Sequence, residues 1–361
     1  MLVWFNKKTL YEWKYYTTYF ALTQLNKGNF MGKTSNIEQR WLESARELNK
    51  TIVLPEAGFS DRVTKAGIEA AEQKICKIIL LVRDDKELES YNIVENDYLK
   101  VINVKTHECR EMLVSALYEK RKEKGLDMEG ANKLIDNPVY FGTMMVDLSL
   151  ADGLVAGAEI ATAETFKPAF QIIKGKTKET KISSFFVMVR EHEGEEQVYL
   201  LSDCGVNIDP TLDEVVEIAK FTAESARTIG FIKEPKVALL SYSTKGSADG
   251  EDAEKMRKAK EILDTMETDF VYDGEMQLDC AIVPSVAALK APNSPIKGDA
   301  NVFIFPNLSA GNIGYKLMQR FGGFKAYGPI AQGMRKPIND VSRGATVNDI
   351  VQAIAITVLQ D

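Results

Sequence analysis

Histidine is nearly absent from this 361-residue chain, which has only His107 and His192. His192 stands in the acidic stretch REHEGEE, which is typical of a solvated turn, and His107 is expected to begin a helix. This scarcity disfavours a Ser-His-Asp triad and a histidine-rich metal site, so no metal is expected. We therefore expect that any general base in this protein is a carboxylate.

Cysteine is also scarce, and no two cysteines have C-x-x-C spacing. This pattern indicates reduced thiols in a cytoplasmic protein and argues against a disulfide framework or a zinc site. The chain has no G-x-G-x-x-G fingerprint either, which weakens the hypothesis of a Rossmann dehydrogenase. The four cysteines are Cys76, Cys109, Cys204 and Cys280.

No apolar run is long enough for a signal peptide or a membrane span, and no basic cluster suggests nucleic-acid binding. We therefore expect neither membrane nor nucleic acid among the partners. The net charge is −7, so an anionic substrate would need cations placed locally. The length is enough for two domains with a large buried core.

Residues 1–30 differ from the rest, because they are crowded with aromatic residues that Lys and Asn interrupt. We interpret them as an N-terminal extension, non-native or peripheral, with the native start at Met31. The alternative is an amphipathic arm that packs on a neighbour. Three residues lie between the two glycines of Gly28–Thr34, where a phosphate loop needs four, so this resemblance to a phosphate loop is rejected.

From residue 51 onward, strand-like apolar runs alternate with helical patterns, which predicts an α/β layered fold with crossover helices. The predicted strands are 51–54, 77–82, 98–104, 153–155, 182–190, 197–202, 236–242, 280–283 and 301–305. The predicted helices are 37–48, 60–73, 107–123, 138–150, 161–174, 212–229, 249–266 and one that ends at residue 319. A change in composition near residues 175–181 predicts a boundary between two α/β domains, 31–178 plus 332–361 and 179–331, with the active-site cleft between them.

The stretch from Ala326 to Asp349 combines a glycine- and proline-rich half with a helix start. Its first half is interpreted as a loop. Thr346 and Asp349 have capping-box spacing before an apolar helical period. Ser342 and Arg343 lie just upstream, where the N-terminus of a helix favours anions. The simpler alternative is a capped helix with a surface arginine.

Three strand-to-helix junctions carry small residues and hydrogen-bond donors that suit an anion. They are residues 243–247, residues 307–314, which include Gly311 and Asn312, and residues 342–346. Since ligands bind at the carboxyl ends of parallel strands, these loops are expected to line one cleft. Together they favour a substrate that carries phosphate.

Several long segments resemble the phosphate acetyl/butyryl transferase family. These are NVFIFPNLSAGNIGYKLMQRFGG, AYGPIAQGMRKPINDVSRGATVNDIV, VALLSYSTKGSADG and ADGLVAGAEIATAETFKPAFQIIK, and the similarity runs in order from about Ile37 to the C-terminus. The resemblance implies two three-layer αβα domains, similar to isocitrate/isopropylmalate dehydrogenase, usually as a homodimer. It implies reversible acyl transfer between CoA and inorganic phosphate, giving acetyl phosphate. CoA and acetyl-CoA are then substrates, and no tightly bound cofactor is expected.

The resemblance also implies roles for individual residues. It maps a general base onto Asp349, a phosphate-binding cation onto Arg343 and a hydrogen-bonding hydroxyl onto Ser342. A further family arginine maps onto Arg121. These roles agree with the chemistry of the residues, because a thiol with a pKa of roughly 8.5 benefits from a base and a guanidinium can bind a phosphoryl group through two hydrogen bonds.

The sequence departs from the family in the segment 161–174. Lys167 stands where members usually have arginine, so phosphate binding there loses the planar fork of donors. Ala161 replaces a frequent serine, whereas Thr162 and Thr165 remain as hydroxyl groups expected to bind substrate.

Three alternative functions remain open from the sequence. A phosphate butyryltransferase differs only in the size of the acyl pocket. A decarboxylating dehydrogenase of the same fold needs a metal-binding aspartate cluster and a nucleotide loop, and the sequence contains neither. A non-catalytic ligand-binding protein is disfavoured by the intact Ser342, Arg343 and Asp349.

Overall fold

The computed structural model describes residues 36–177 and 180–360. The interpretation of residues 1–30 therefore lies outside the described residues. From Ile37 onward, the chain forms one compact unit that contains two β-sheets.

The first sheet has five parallel strands, and helices cover both of its faces. In space the strands run β11-β4-β1-β2-β3. Ile52 and Leu54 face one hydrophobic cluster, whereas Val53 faces another, because side chains alternate across a strand. The strands are β1 (Thr51–Leu54), β2 (Lys77–Val82), β3 (Leu99–Asn103), β4 (Gly153–Ala156) and β11 (Ile338–Asp340).

Helices on the two faces make this sheet the middle of three layers. One face packs on α1 (Asn36–Leu48), α2 (Asp61–Glu72) and α12 (Val347–Leu359). The other face packs on α3 (Arg110–Arg121), α4 (Met128–Ile135), α5 (Pro138–Asp147) and α6 (Thr162–Ile172). Short 3-10 helices span Asp85–Tyr91 and Lys122–Lys124.

The second sheet has six strands in the order β10-β5-β6-β9-β7-β8. Strand β5 is antiparallel to both of its neighbours, β10 and β6, and the pairs from β6 to β8 are parallel. Phe185 and Phe186 belong to clusters on opposite faces, so this sheet is also a middle layer. The strands are β5 (Ser183–His192), β6 (Glu195–Ser202), β7 (Lys236–Leu240), β8 (Val271–Met276), β9 (Val302–Ile304) and β10 (Lys325–Gln332). The helices are α7 (Leu212–Thr228), α8 (Glu251–Asp264), α9 (Leu278–Ile282), α10 (Pro284–Lys290) and α11 (Leu308–Arg320).

Both the chain itself and helix α1 link the two sheets. The chain passes from β10 in the second sheet to β11 in the first. At the end of β10, the buried side-chain amide nitrogen of Gln332 lies 2.9 Å from both Ser183 Oγ and Thr222 Oγ1. Helix α1 contacts elements of the second sheet's layers, because Trp41 donates its indole N–H to the carbonyl of Ile229, the C-cap of α7, at 2.7 Å. The ring of Trp41 also makes an edge-to-face contact with Tyr327, at a centroid distance of 5.0 Å.

The α/β fold class with three-layer packing is confirmed, and most predicted elements occur within a few residues of their expected bounds. The boundaries proposed for two domains stay a prediction. The first sheet takes strands from residues 51–156 and 338–340, and the second takes strands from residues 183–332, which is compatible with that division.

Three predictions of local structure are wrong in whole or in part, and three further elements were not predicted. Residues 326–332 are not a loop, because β10 continues through a register shift beside the cis Gly328-Pro329 bond, whereas residues 333–337 do form a loop before β11, which was not predicted. Residues 280–283 lie in α9 and the turn after it, where Pro284 begins the next helix, so they are not a strand. The polar strand β8 and the short helix α4 were both missed. Finally, His107 does not begin a helix, since α3 starts at Arg110.

Candidate active site

A cavity of about 810 Å³ lies at the carboxyl end of β4 and β11, and elements of both sheets contribute to its wall. We call it the main cavity. Its size is typical of a small-molecule site. Five of the residues predicted from the sequence line it: Thr162, Asn312, Ser342, Arg343 and Asp349.

Asp349 forms the predicted capping box at the start of α12, which is confirmed. Its Oδ2 accepts hydrogen bonds from the N–H and the hydroxyl of Thr346, both at 2.8 Å. The Asp349 N–H donates in return to Thr346 Oγ1 at 3.2 Å. Both accepted bonds end on one carboxylate oxygen, so capping fixes the side chain while the other oxygen remains available for other chemistry.

Ser342 and Arg343 are exposed and lie on the short loop between β11 and α12. The Ser342 hydroxyl accepts a hydrogen bond from the Gly344 N–H at 3.2 Å, which shapes the turn. Arg343 is near enough to the carboxyl group of Asp340 for its charge to lower the pKa of that group. The loop thus presents a hydroxyl and a guanidinium to the cavity from adjacent positions.

Arg62 of α2 holds this loop in place. One of its terminal nitrogens donates to the carbonyls of Arg343, at 2.9 Å, and Ala345, at 2.6 Å. The other donates to the Ala158 carbonyl at 2.8 Å and to a carboxylate oxygen of Glu159 at 2.9 Å. The planar guanidinium therefore ties the loop before α12 to the loop after β4.

The carboxylate of Glu56 lies inside the turn that follows β4. Its side chain is fully buried and accepts hydrogen bonds from the N–H groups of Ala158, Glu159 and Ile160 at 2.8–3.0 Å. These three donors resemble an anion-binding nest, but Glu56 already occupies it. These three N–H groups are therefore not available to an external anion, unlike donors farther along the chain.

Those donors lie at the start of α6. Ala161 stands at the N-cap and no side chain caps the helix, which leaves first-turn N–H groups for a ligand. Thr162 is exposed and lines the cavity, whereas Thr165 is fully buried one turn on. The departure at Ala161 thus leaves a helix N-terminus open toward the main cavity.

Asp340 is the residue that the sequence analysis missed. It ends β11, lines the main cavity and is only 4% exposed. Its carboxylate accepts hydrogen bonds from the hydroxyls of Thr162, at 2.6 Å, and Thr165, at 2.9 Å. A Cβ added at Gly157, where φ is +102°, would lie 2.1 Å from Asp340 Oδ1, so only glycine fits beside this carboxylate.

Burial raises the pKa of Asp340 to about 6, although the two threonine hydroxyls oppose this shift. The negative charge of Glu56 raises it further, and the positive charge of Arg343 lowers it. The cavity therefore contains a carboxyl group that titrates near neutral pH in a protein with almost no histidine. A carboxylate at the end of a short strand beside Ser-Arg could have been noticed, but the strand itself was not predicted.

Gly311, Arg121 and Lys167 are not among the described residues that line the main cavity. Gly311 lets α11 pack closely, since an added Cβ would lie 2.3 Å from the Asp203 carbonyl oxygen. Arg121 ends α3 and is half-buried, and Lys167 is exposed on α6. Their roles in substrate binding stay predictions.

Residues 243–247 do not join the other two loops, contrary to the expectation of one shared cleft. The Ser243 hydroxyl and the Gly246 N–H both donate to the buried carboxylate of Glu275 at 2.8 Å. Lys245 lines a separate cavity beside Asp273. The donors of this loop therefore bind an internal carboxylate instead of a ligand.

Two negative findings apply to the described part of the chain. No group of three or more His, Cys, Asp or Glu side chains there is arranged to hold a metal ion. No helix within residues 36–177 or 180–360 has the length and apolar character needed to cross a membrane.

The raised pKa of Asp340 predicts a change in stability with pH. The unfolded carboxyl titrates near 3.8 and the folded one near 6, so ionisation of Asp340 in the folded state costs about 3 kcal/mol at pH 7.5. We expect Asp340→Asn to unfold at a higher urea concentration than the parent at pH 7.5. The difference should shrink at pH 5 and vanish below the unfolded pKa. If the two proteins differed equally in their unfolding urea concentration at pH 5 and pH 7.5, ionisation of Asp340 would not be the cause.

The comparison with known proteins gives one family. The family model for phosphate acetyl/butaryl transferase matches residues 36–358. A phosphate acetyltransferase from Thermoanaerobacterium thermosaccharolyticum is 45% identical over 327 residues, which cover 90% of this chain and 99% of that protein.

Two solved structures agree with this match. A phosphotransacetylase from Streptococcus pyogenes has a TM-score of 0.82 at 41% identity and covers 89% of this chain and 98% of its own. The EutD phosphotransacetylase from Staphylococcus aureus has a TM-score of 0.81 at 38% identity and covers 91% and 98%. With the fold, the main cavity and the capped helix now described, this chain belongs to the phosphate acetyl/butyryl transferase family.

Proposed function

We propose that this protein catalyses the reversible transfer of an acetyl group between CoA and inorganic phosphate, converting acetyl-CoA and phosphate to CoA and acetyl phosphate. The observation that carries the proposal is that Ser342, Arg343 and Asp349 line one cavity at a helix N-terminus. The similarity to phosphate acetyltransferases over 90% of the chain supports acetyl over butyryl transfer.

Asp349 acts as the general base for the CoA thiol. The thiol has a pKa of roughly 8.5 and is mostly protonated at neutral pH, so removal of its proton creates the nucleophile. Capping holds the Asp349 carboxylate through Oδ2, and Oδ1 takes the proton. Neither histidine lines the main cavity, so the general base is a carboxylate.

Arg343 binds the phosphoryl group of acetyl phosphate. A guanidinium can donate two parallel hydrogen bonds to phosphate oxygens and offset the charge that develops as phosphate leaves. Arg62 fixes the backbone of this residue, so the cation is held beside the helix N-terminus. Ser342 supplies a hydrogen bond, because no histidine is near to make its hydroxyl a nucleophile.

Transfer is direct. The thiolate sulfur forms a bond to the acetyl carbonyl carbon, the bond from that carbon to the phosphate oxygen breaks, and phosphate leaves with the bonding electrons. No acyl-enzyme forms. The reverse reaction uses the same groups, with protonated Asp349 returning its proton to the CoA sulfur.

Cations on one side of the main cavity suit the phosphates of CoA. Lys316 and Arg320 of α11 and Lys325 of β10 line the wall. Lys316 donates to Asn312 Oδ1 at 2.6 Å, which orients that amide beside the cavity. We propose CoA and acetyl-CoA as dissociable substrates, no tightly bound cofactor, and the cytoplasm as the location.

The protein is proposed to work as a homodimer. Ile313, Leu317 and Phe321 follow one another at intervals of four residues along α11 and its C-cap, and they are 59%, 50% and 86% exposed. An exposed apolar stripe of this kind is typical of a surface that another chain covers. A second copy of this chain is the occupant that the family resemblance favours.

Sedimentation equilibrium tests the dimer. We expect a mass of twice 40.3 kDa for the parent, and a shift toward the monomer for Phe321→Glu, because the charge interrupts the apolar stripe. Leu289→Glu on α10 is the matched control, because it also replaces an exposed apolar side chain with a carboxylate. A parent protein with the mass of one chain would reject the proposal.

A thiol-loss assay tests the activity itself. Purified protein mixed with CoA and acetyl phosphate should consume free thiol and release phosphate in equal amounts. With butyryl phosphate we expect a lower kcat/KM, and comparing the two substrates defines the acyl preference. Equal or faster reaction with butyryl phosphate would favour the butyryltransferase alternative, and no thiol loss with either would reject acyl transfer.

A further inference from the structure

The hydroxyl of Thr162 lies between a buried carboxyl group and the main cavity. Its oxygen is 2.6 Å from Asp340 Oδ2, and the residue is exposed and lines the cavity. A hydroxyl has a single hydrogen to donate and two lone pairs that accept. The protonation state of Asp340 therefore decides where that hydrogen points.

When Asp340 is ionised, its carboxylate can only accept hydrogen bonds, so the Thr162 hydroxyl donates its hydrogen to Asp340. The hydroxyl then offers only lone pairs to a ligand, and a phosphate oxygen gains nothing from it. With Asp340 protonated, the carboxyl hydrogen can be donated to Thr162 Oγ1. The Thr162 hydrogen is then free to be donated into the cavity.

We propose that Asp340 is a positioning residue that, on taking up a proton, turns the Thr162 hydroxyl into a hydrogen-bond donor for an oxyanion of the substrate. The proposal rests on the proposed function, because it assumes that the phosphoryl group binds at the start of α6. The uncapped N-terminus of α6 provides backbone donors beside the same hydroxyl. Oxyanion binding and protonation of Asp340 are thus coupled, each favouring the other.

The environment of Asp340 puts this coupling in a useful pH range, since burial raises its pKa to about 6. The charged groups that act on it are Glu56, buried in the turn after β1, and Arg343. Thr165 donates to its other oxygen from inside the protein and does not line the cavity. Neither histidine lines the cavity, so neither can substitute for Asp340 as the group that titrates.

Sulfate is the appropriate probe, because it is a tetrahedral oxyanion that does not titrate between pH 5.5 and pH 8. Its binding is measured by calorimetry on the intact protein, independently of turnover. In the parent protein, sulfate affinity should fall roughly tenfold as pH rises through this range, since a hydrogen bond to a charged group is lost. Asp340→Asn should bind sulfate with the same affinity throughout, near the low-pH value of the parent.

Variants of Thr162 and Thr165 distinguish an effect of the direction of the Thr162 hydroxyl from direct repulsion between sulfate and the charge of Asp340. Thr162→Val should bind weakly at all pH values and lose most of the pH dependence, whereas Thr162→Ser should restore it. Thr165→Val is the matched control and should keep a clear pH dependence. The Asp349→Asn protein should keep the parent's fold-change in sulfate affinity between pH 5.5 and pH 8, which excludes titration of Asp349 as its cause.

Three results would overturn the proposal. They are full pH dependence in Thr162→Val, which indicates charge repulsion alone, persistent pH dependence in Asp340→Asn, and no sulfate binding by the parent at pH 5.5. A protein that lacks acyl transfer but gives the expected sulfate curves would reject the proposed activity and keep this coupling. An active protein whose sulfate affinity does not change with pH would support the proposed activity and reject this coupling.

Discussion

The candidate site depends on the four hydrogen bonds that Arg62 makes to two loops from different parts of the chain. The loop after β4 carries the start of α6, and the loop after β11 carries Ser342 and Arg343. Their residues are about 180 positions apart in sequence and meet only because β4 and β11 are neighbours in the first sheet. A guanidinium suits this task, because its donors lie in a rigid plane. Arg62 and Ser60 hydrogen-bond to Glu159, and this holds the pKa of the Glu159 carboxyl below its usual range.

Buried carboxylates have two different functions in this protein. Glu56 and Glu275 occupy turns whose N–H groups would otherwise bind an external anion. Asp340 instead lies beside the cavity and accepts hydrogen bonds from two hydroxyl groups. Burial opposes the shift, but hydrogen bonds from the Gly246 N–H, Arg257 and Ser243 hold the pKa of the Glu275 carboxyl below its usual range, whereas burial raises the pKa of Asp340 to about 6. A chain with two histidines can obtain a group that titrates near pH 6 in this way.

The sequence predicted the parts of the fold that local rules control. The apolar runs of β1 and β2 and the Thr346–Asp349 capping box were placed correctly, because burial on both faces and helix capping leave clear local patterns. The strands β10 and β8 were missed, since Gly328-Pro329 interrupts one and polar residues such as Asp273 and Glu275 fill the other. Tertiary pairing stabilises both strands against their local signals.

The same limit applies to the site. The sequence alone could show that residues 243–247 have the composition of an anion loop, but not that Glu275 already occupies it. Asp340 was missed because the strand that it ends was not predicted, and because its importance comes from contacts with Thr162 and Thr165, which lie about 175 residues earlier. Ser342, Arg343 and Asp349 were found because they stand close together in the chain and resemble a long family segment.

The central claim is that Asp349 takes the proton of the CoA thiol while it caps α12. The kcat of Asp349→Asn at pH 7 tests this claim most directly, because asparagine retains much of the capping but cannot take a proton. The account predicts a normal circular dichroism spectrum, retained CoA binding, a loss of about 10²–10⁴-fold in kcat, and partial recovery as pH approaches the thiol pKa. A stable Asp349→Asn protein with near-parental kcat at pH 7 would contradict it and leave Asp349 as a helix cap.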